Sequence, residues 1–581
     1  DQYRVVATLR VGSGGLVNTP AGSNVVIDAR TGARGGQAAT LAVLPRGYNG
    51  DSRSAVNAGA GAAYGVSGRG VRVGVVEGNP FAHDSLAGRV VLRNGGLNAA
   101  PAGEHRSEHS LAVAGIIAAR SGDAQARGIA PDATIYSSAM ATWGSGFDLL
   151  NDLRRQGVRI VNMSFGFEPN QRAGDFGATR ISQFVTSNPG ITVVASAGNS
   201  GVPRGNSSTI GSPAVSGNVL AVGAVNRDFT ARAGFSSYSR GGVGRRPDIV
   251  APGEYILAPG ARDGDGNGQD DEFRRSFIGT DFDRFQGRDI STGPISGTSF
   301  AAPFVTGMVA LLHDLASRQP QGHDADSTDS RVMRAVVMNT ATTQNVRRSG
   351  GGAWSQDTTI YRMEGHEGRT TLGVDRSCDE QLGAGLLNVG RAIQMFSRAE
   401  LRGADDANER HMRIDVTGGA AVPNVPMFWD RQAVAGATQA DGVGMVEYML
   451  GQANHGWHFR STMAWIDHTS LVNDQLVSQY SRLQLSLYME GPDEGNTGGF
   501  DPANPDADLL ITATFEMSGT VRMLDMVLPE TGTYYLLVTN QSQVPLFGGA
   551  PVYGISAYIP APGVAGVLAL AGMTVARRRR R

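Results

Sequence analysis

Lysine is absent from the 581 residues, so all 51 basic side chains are arginines. This reads as compositional bias rather than a designed basic surface. A formal net charge of -2 gives no sign of a nucleic-acid partner. Cysteine is nearly absent too. Cys378 alone can close no internal disulfide, so stability in an oxidising compartment must come from core packing or a bound metal. No glycine-rich turn opens a phosphate-cradling helix, and the glycines near Gly12 and Gly70 read as turns, so no organic cofactor is expected. Glycine itself is plentiful, at 80 residues, beside 41% hydrophobic and 18% charged residues, which is a globular composition with many turns. A chain this long exceeds a single core, and two or more domains are expected.

From Gly70 to Gln394, apolar β-branched runs alternate with Ala-rich helical runs. Runs such as VRVGVV (71–76), VRIVNMS (158–164), ITVVAS (191–196) and VLAVGAV (219–225) suit parallel strands buried on both faces. Ligands of such sheets sit beyond the carboxyl ends of the strands. After Ser397 the texture changes to spaced Val, Leu, Tyr and Met strands between Gly, Pro, Asn and Asp turns, as expected of an antiparallel β-sandwich. The stretch 345–381 is a Gly- and Arg-rich insertion without an evident role.

The strongest local signal is ISGTSFAAPFVTGMVALL, 295–312, where a Gly-Thr-Ser turn runs into an apolar helix. Ser299 opens that helix, with Pro303 expected in its first turn, and apolar residues nearly all round place it centrally. A serine there lies near unpaired backbone N–H groups that can stabilise an oxyanion. Such a serine taken alone is a plain N-cap.

The segment GTSFAAPFVTG resembles the nucleophile motif of the subtilisin-like serine proteases, the subtilases. SEHSLAVAGIIAA resembles the family's histidine block, with His109 as general base, although Ser110-Leu111-Ala112 stands where the family has Gly-Thr-His. ARGIAPDATIYS, VNMSFG, VASAGNSG, SPAVSGNVLAVGAV and RRPDIVAPG extend the likeness over Ala58 to Gln394. The resemblance implies a subtilisin-like parallel α/β domain and serine endopeptidase activity, with Ser299 as nucleophile and Asn199 as side-chain oxyanion donor. It also implies that Ser164 and Gly166 pair with an extended peptide, so that polypeptides are the substrates.

The acid departs from the pattern. VGVVEGNPFAHD places Glu77 where the family has an aspartate at the end of the first buried strand, and Asp84 is the fallback. A Glu can still accept from the imidazole N–H, but its extra methylene must be accommodated, and a misplacement of ~1 Å can cost roughly a hundredfold in rate. A weak or inactive surface-binding relative is therefore the alternative reading.

Two further signals concern metal and location. In DGDGNGQDDE, Asp263, Asp265, Asn267 and Asp271 follow the spacing of a calcium loop with Gly268 at the turn. Position twelve is Arg274, so a full EF-hand is not formed, and a solvated acidic loop is the plain alternative. The tail IPAPGVAGVLALAGMTVARRRRR resembles a PEP-CTERM sorting signal, with Pro-Ala-Pro for the usual Pro-Glu-Pro, and a frayed basic tail is the other reading. The first residue is Asp1, so an export signal is expected to have been removed. Together these give an expected organisation of 1–57 as an extension or pro-segment remnant, 58–397 as the peptidase, 398–558 as the β-sandwich and 559–581 as the tail. The expected setting is exported, at the envelope or beyond it, with sorting or processing machinery as a partner. Substrate preference and oligomeric state are not written in the sequence.

Overall fold

A computed structural model describes residues 49–93, 106–121, 127–139, 143–167, 172–240 without 204 and 206, 247–259, 277–278, 295–318, 327–361 without 356, and 371–397 without 377. It further describes 411–415, 427–434, 444–472, 475–491, 509–514, 519–542 and 550–559. Residues 1–46 lie outside the described residues, and the described residues belong to one compact unit.

The apolar runs become seven parallel strands: Arg72–Glu77 (β1), Val90–Arg93 (β2), Thr134–Ala139 (β3), Ile160–Met163 (β4), Thr192–Ser196 (β5), Leu220–Val225 (β6) and Ile249–Pro252 (β7). Their order is β2-β3-β1-β4-β5-β6-β7. Alternation along β1 shows how both faces are filled. Val73 and Val75 point into one core, Val76 into another, and all three are fully buried. The described helices are Asn49–Ala55 (α1), Glu108–Ala118 (α2), Trp143–Arg155 (α3), Arg172–Ser187 (α4), Thr298–Arg318 (α5), Ser330–Asn339 (α6) and Val389–Phe396 (α7), beside the single turn Ala60–Ala63. Ile116 of α2 and Phe304 and Met308 of α5 share the core of Val73 and Val75. Leu149 and Leu153 of α3 and Phe184 of α4 share the opposite one. Burying one such side chain is worth about 1.5–3 kcal/mol, so the two layers are what hold the sheet flat against its helices. The chain turns outward in both directions from β1, so the crevice above its carboxyl end, and that of β4, is the expected seat of a ligand.

Beside three small two-stranded pairs, the other strands are Asp357–Tyr361 (β8), Thr371–Arg376 (β9), His411–Asp415 (β10), Met427–Ala433 (β11), Gly444–Ala453 (β12), His458–Trp465 (β13), Leu483–Met489 (β14), Leu509–Thr514 (β15), Val521–Val527 (β16), Gly532–Asn540 (β17) and Val552–Tyr558 (β18). They form a sheet of order β8-β9-β15-β14-β17-β12-β10 and another of order β11-β18-β13-β16. Pairing is antiparallel except at β9–β15 and β10–β12. Tyr448, Leu485 and Leu536 of the first sheet meet Phe459, Met463 and Tyr553 of the second in a dry core between them. The Gly- and Arg-rich insertion thus gains a role, because it supplies β8 and β9 to this second sheet.

The sandwich is welded to the peptidase. Gly554 of β18 lies so close to α6 that a Cβ there would come within 2.4 Å of the Arg331 carbonyl carbon. The Ser556 hydroxyl donates to the Ala335 carbonyl at 3.0 Å, and Arg334 Nη1 donates to the Trp465 carbonyl at 3.1 Å. Arg460, only 1% exposed, donates to the carbonyls of Ala341 at 2.7 Å and Ala384 at 2.6 Å. Cys378 is buried in the shared core.

Asp467 sits at the same seam, exchanging backbone bonds with the Asn218 side chain at 2.9 Å. Burial pushes its carboxyl up to about 6, although Ser481 N–H and Trp465 Nε1–H both donate to Oδ1 and favour the anion. A group protonated more readily when folded than when unfolded subtracts stability as pH rises from its unfolded value through about 6. Asp467→Asn keeps the Oδ1 acceptor without the buried charge. It is expected to raise stability by about 1–3 kcal/mol at pH 8 and to be near neutral below pH 4, as read from urea melts at the two pH values.

Candidate active site

The helix bearing Ser299 begins at Thr298, which places Pro303 in its second turn rather than the first. Even counted from Ser299, Pro303 is the fifth residue and lies beyond one turn of about 3.6 residues. Its place has a chemical result. Pro303 has no N–H, so the carbonyl of Ser299, four residues back, loses its intrahelical donor. The Ser164 hydroxyl donates to that carbonyl instead, at 2.8 Å. Ser164 Oγ in turn accepts from Asn162 Nδ2 at 2.8 Å, and Thr306 Oγ1 donates to Asn162 Oδ1 at 2.8 Å. Ser164 is buried while Gly166 is exposed, so the side chain of the first braces the nucleophile turn and the second lies open to solvent. Neither Asn162 nor Thr306 carried a sequence signal of its own.

His109 lies in the first turn of α2, whose N-cap Ser107 accepts from Ser110 N–H at 3.2 Å. The His109 ring meets Phe300, the residue after Ser299, with centroids 5.1 Å apart, and so stands beside the start of α5. Glu77 is the last residue of β1, and its Oε2 lies 3.1 Å from His109 Nδ1. The Glu77 side chain is 8% exposed against 40% for His109. The contact is of hydrogen-bond length, and among the described residues neither carboxylate oxygen has another hydrogen-bond partner. Burial alone would lower the His109 pKa. The hydrogen bonding and negative charge of Glu77 outweigh it, and the imidazolium is held above the usual histidine value of 6.5. Asp84, the other acid considered, is exposed in the short turn Asp84–Leu86, and the carboxylate touching the imidazole is that of Glu77.

Asn199 follows β5 in a turn made possible by Gly198, whose φ of +112° is closed to most side chains. Its Oδ1 accepts from Thr298 N–H at 2.9 Å and Thr298 Oγ1–H at 3.0 Å, while Gly198 N–H donates to Thr298 Oγ1 at 3.1 Å. With Oδ1 doubly engaged, the Nδ2 amide is the donor left over, and no described residue takes it. His109, Asn199 and Ser164 thus each contact the first turn of α5, and Glu77 contacts His109.

The subtilase family profile matches residues 74–385, more than half of the chain. The chain belongs to the subtilase family. Among curated subtilases it is 33% identical over 291 residues to subtilisin of Bacillus pumilus, covering 48% of this chain and 87% of that one. It is 29% identical over 262 residues to subtilisin DY of Bacillus licheniformis, covering 43% and 79%. Its match to subtilisin E of Bacillus subtilis (strain 168), 33% identical over 291 residues, spans 48% of this chain and 63% of that protein. Among solved structures it is similar to the prenylagaramide maturation protease PagA, at 22% identity and a TM-score of 0.37 over 56% of this chain and 93% of that one. MycP1 with its N-terminal propeptide removed gives 20% identity and a TM-score of 0.39 over 59% and 96%. The subtilase domain of this chain is therefore that of a serine-type endopeptidase.

Asp263, Asp265, Asn267 and Asp271 lie outside the described residues, as does the tail from residue 560. Among the described residues no group of three His, Cys, Asp or Glu side chains could hold a metal ion. The one described helix long and apolar enough to cross a membrane is α5, but 94% of that window is buried inside the domain and it carries Ser299. It is a core helix.

Proposed function

We propose that this subtilase hydrolyses peptide bonds through an acyl-enzyme formed on Ser299, with His109 as general base and Glu77 as the acid of the triad. The observation that carries the reading is the 3.1 Å contact between Glu77 and His109 at the start of the Ser299 helix. Ser299 Oγ attacks the scissile carbonyl carbon as His109 takes its proton. The oxyanion so formed accepts from Asn199 Nδ2–H and from backbone N–H at the helix start. Collapse breaks the C–N bond, and His109 returns the proton to the leaving amine. Water then repeats the sequence on the acyl-enzyme. Glu77 keeps the proton of the neutral ring on Nδ1 and stabilises the imidazolium.

The exposed backbone at Gly166 supports a polypeptide substrate laid alongside as an added strand. The spacing of Asp263, Asp265, Asn267 and Asp271 supports a structural calcium loop, which would clip an inserted segment and take no part in the proton transfers. The segments 58–397 and 398–558 are read as peptidase and β-sandwich, and 1–57 as an extension. The tail 559–581 supports export to the envelope or beyond it, with sorting machinery as a partner.

A fluorophosphonate probe is expected to label the wild type once, at Ser299, and to leave Ser299→Ala unlabelled, with casein hydrolysis lost in parallel. A folded wild type that takes no label would make the chain a binding protein on a protease scaffold.

A further inference from the structure

Two departures from the subtilase pattern meet in space. Glu77 replaces an aspartate, and Ser110 follows the base where the family has glycine. Ser110 is fully buried, and its hydroxyl donates at 2.5 Å to the carbonyl of Gly78, the residue directly after Glu77. The Ser137 hydroxyl of β3 also lies within donating distance of that carbonyl, at 3.2 Å, and shares its one proton between it and Asn79 Oδ1 at 3.4 Å. The turn after β1 is thereby fastened to the helix of the base and to the neighbouring strand. Among the described residues both Glu77 oxygens are otherwise without hydrogen-bond partners, and the imidazole is the group that meets the carboxylate.

We propose that Ser110 is a positioning residue that adapts this active site to a glutamate, by fixing the Glu77–Gly78 peptide relative to His109 so that the longer carboxylate meets Nδ1. The proposal rests on the triad reading above. The physical reason is leverage. Rotating the 77–78 peptide swings the Cα–Cβ bond of Glu77, and the extra methylene enlarges the displacement at Oε2. A plain structural role for Ser110, satisfying a buried hydroxyl, would alter stability without touching proton transfer.

The test is a double-mutant cycle of Ser110→Ala and Glu77→Asp, read as kcat and KM on a fluorogenic peptide with active sites counted by the fluorophosphonate burst. In the wild-type background Ser110→Ala is expected to lower kcat about tenfold with KM changed less than about twofold. The acid limb of kcat/KM should also move to lower pH, since a slackened Glu77 raises the imidazole pKa less. In the Glu77→Asp background the same change should lower kcat less than about twofold, because the shorter carboxylate no longer depends on that peptide orientation. Ser110→Cys keeps the volume with a weak donor and should reproduce the loss if the alanine variant folds poorly. Losses that multiply across the cycle, or a fall in melting temperature with kcat and the acid limb unmoved, would overturn the proposal. Full activity in Glu77→Gln would instead defeat the triad reading, so the two failures are distinct.

Discussion

Glu77→Gln is expected to lower kcat by about 10⁴-fold, the size seen when the triad acid of another serine protease is made an amide. The neutral amide can hold the ring by its carbonyl or, flipped, by its NH₂, and the second choice puts the ring proton on the wrong nitrogen. It also removes the charge that stabilises the imidazolium as Ser299 loses its proton. The pH profile gives an independent reading. Two opposed effects act on His109, burial lowering its pKa and Glu77 raising it, with the second prevailing. The base must be neutral to work, so the wild-type acid limb should lie above the ordinary 6.5 of a histidine. Without the carboxylate only burial remains, and the residual activity should show its acid limb below that value. Stopped assays from pH 4 to 9 on both proteins decide it. A limb that stays in place would mean that Glu77 does not act on His109.

Arg460→Ala is expected to destabilise the folded chain by about 3–5 kcal/mol, the usual consequence of breaking a buried charged network from one side. The guanidinium bridges the carbonyls of Ala341 and Ala384, which lie in the peptidase, from a strand of the sandwich. Its Nε lies 3.5 Å from Asp525 Oδ2, and the carboxylate also pairs with His458 Nε2. Burial would raise the Asp525 carboxyl, but Arg460 and His458 together hold it below the usual aspartate value. Alanine would strand two buried acceptors and half of an ion pair at once. Urea melts followed by casein hydrolysis and by tryptophan fluorescence should lose both signals together, at a lower midpoint. Activity that outlasts the fluorescence change would show that the two halves hold together independently.

The parts of the site written in contiguous residues were legible. Ser299, His109 and Asn199 stand in runs whose order and length match a known pattern. Glu77 could be read because the family resemblance puts the acid at the end of the first buried strand, where VGVVEG carries Glu77. Position within a turn was less legible: Pro303 is the sixth residue of the helix and so lies past its first turn, since a turn spans about 3.6 residues. Contacts across the fold were not legible at all. Ser110 and Gly78 are 32 residues apart, and Ser164 and Ser299 are 135 apart, so their bonds exist only once the sheet has formed. The alternating texture after Ser397 announced the sandwich. Its two strands at 357–361 and 371–376 were hidden by a Gly- and Arg-rich context, and the first, at the sheet's edge, needs little apolar surface of its own.

Those two strands also set a timetable for synthesis. β9 takes its parallel neighbour from Leu509–Thr514, so the peptidase portion leaves the ribosome with a hairpin that has nothing to join until residue 514 has been made. Ser299, His109 and Glu77 are all translated long before then. A nascent chain stalled between residues 397 and 427 therefore holds Ser299, His109 and Glu77, yet it exposes an unpaired strand edge and the surface of α6 that β11, β13 and β18 later cover to chaperones, to other chains and to proteolysis.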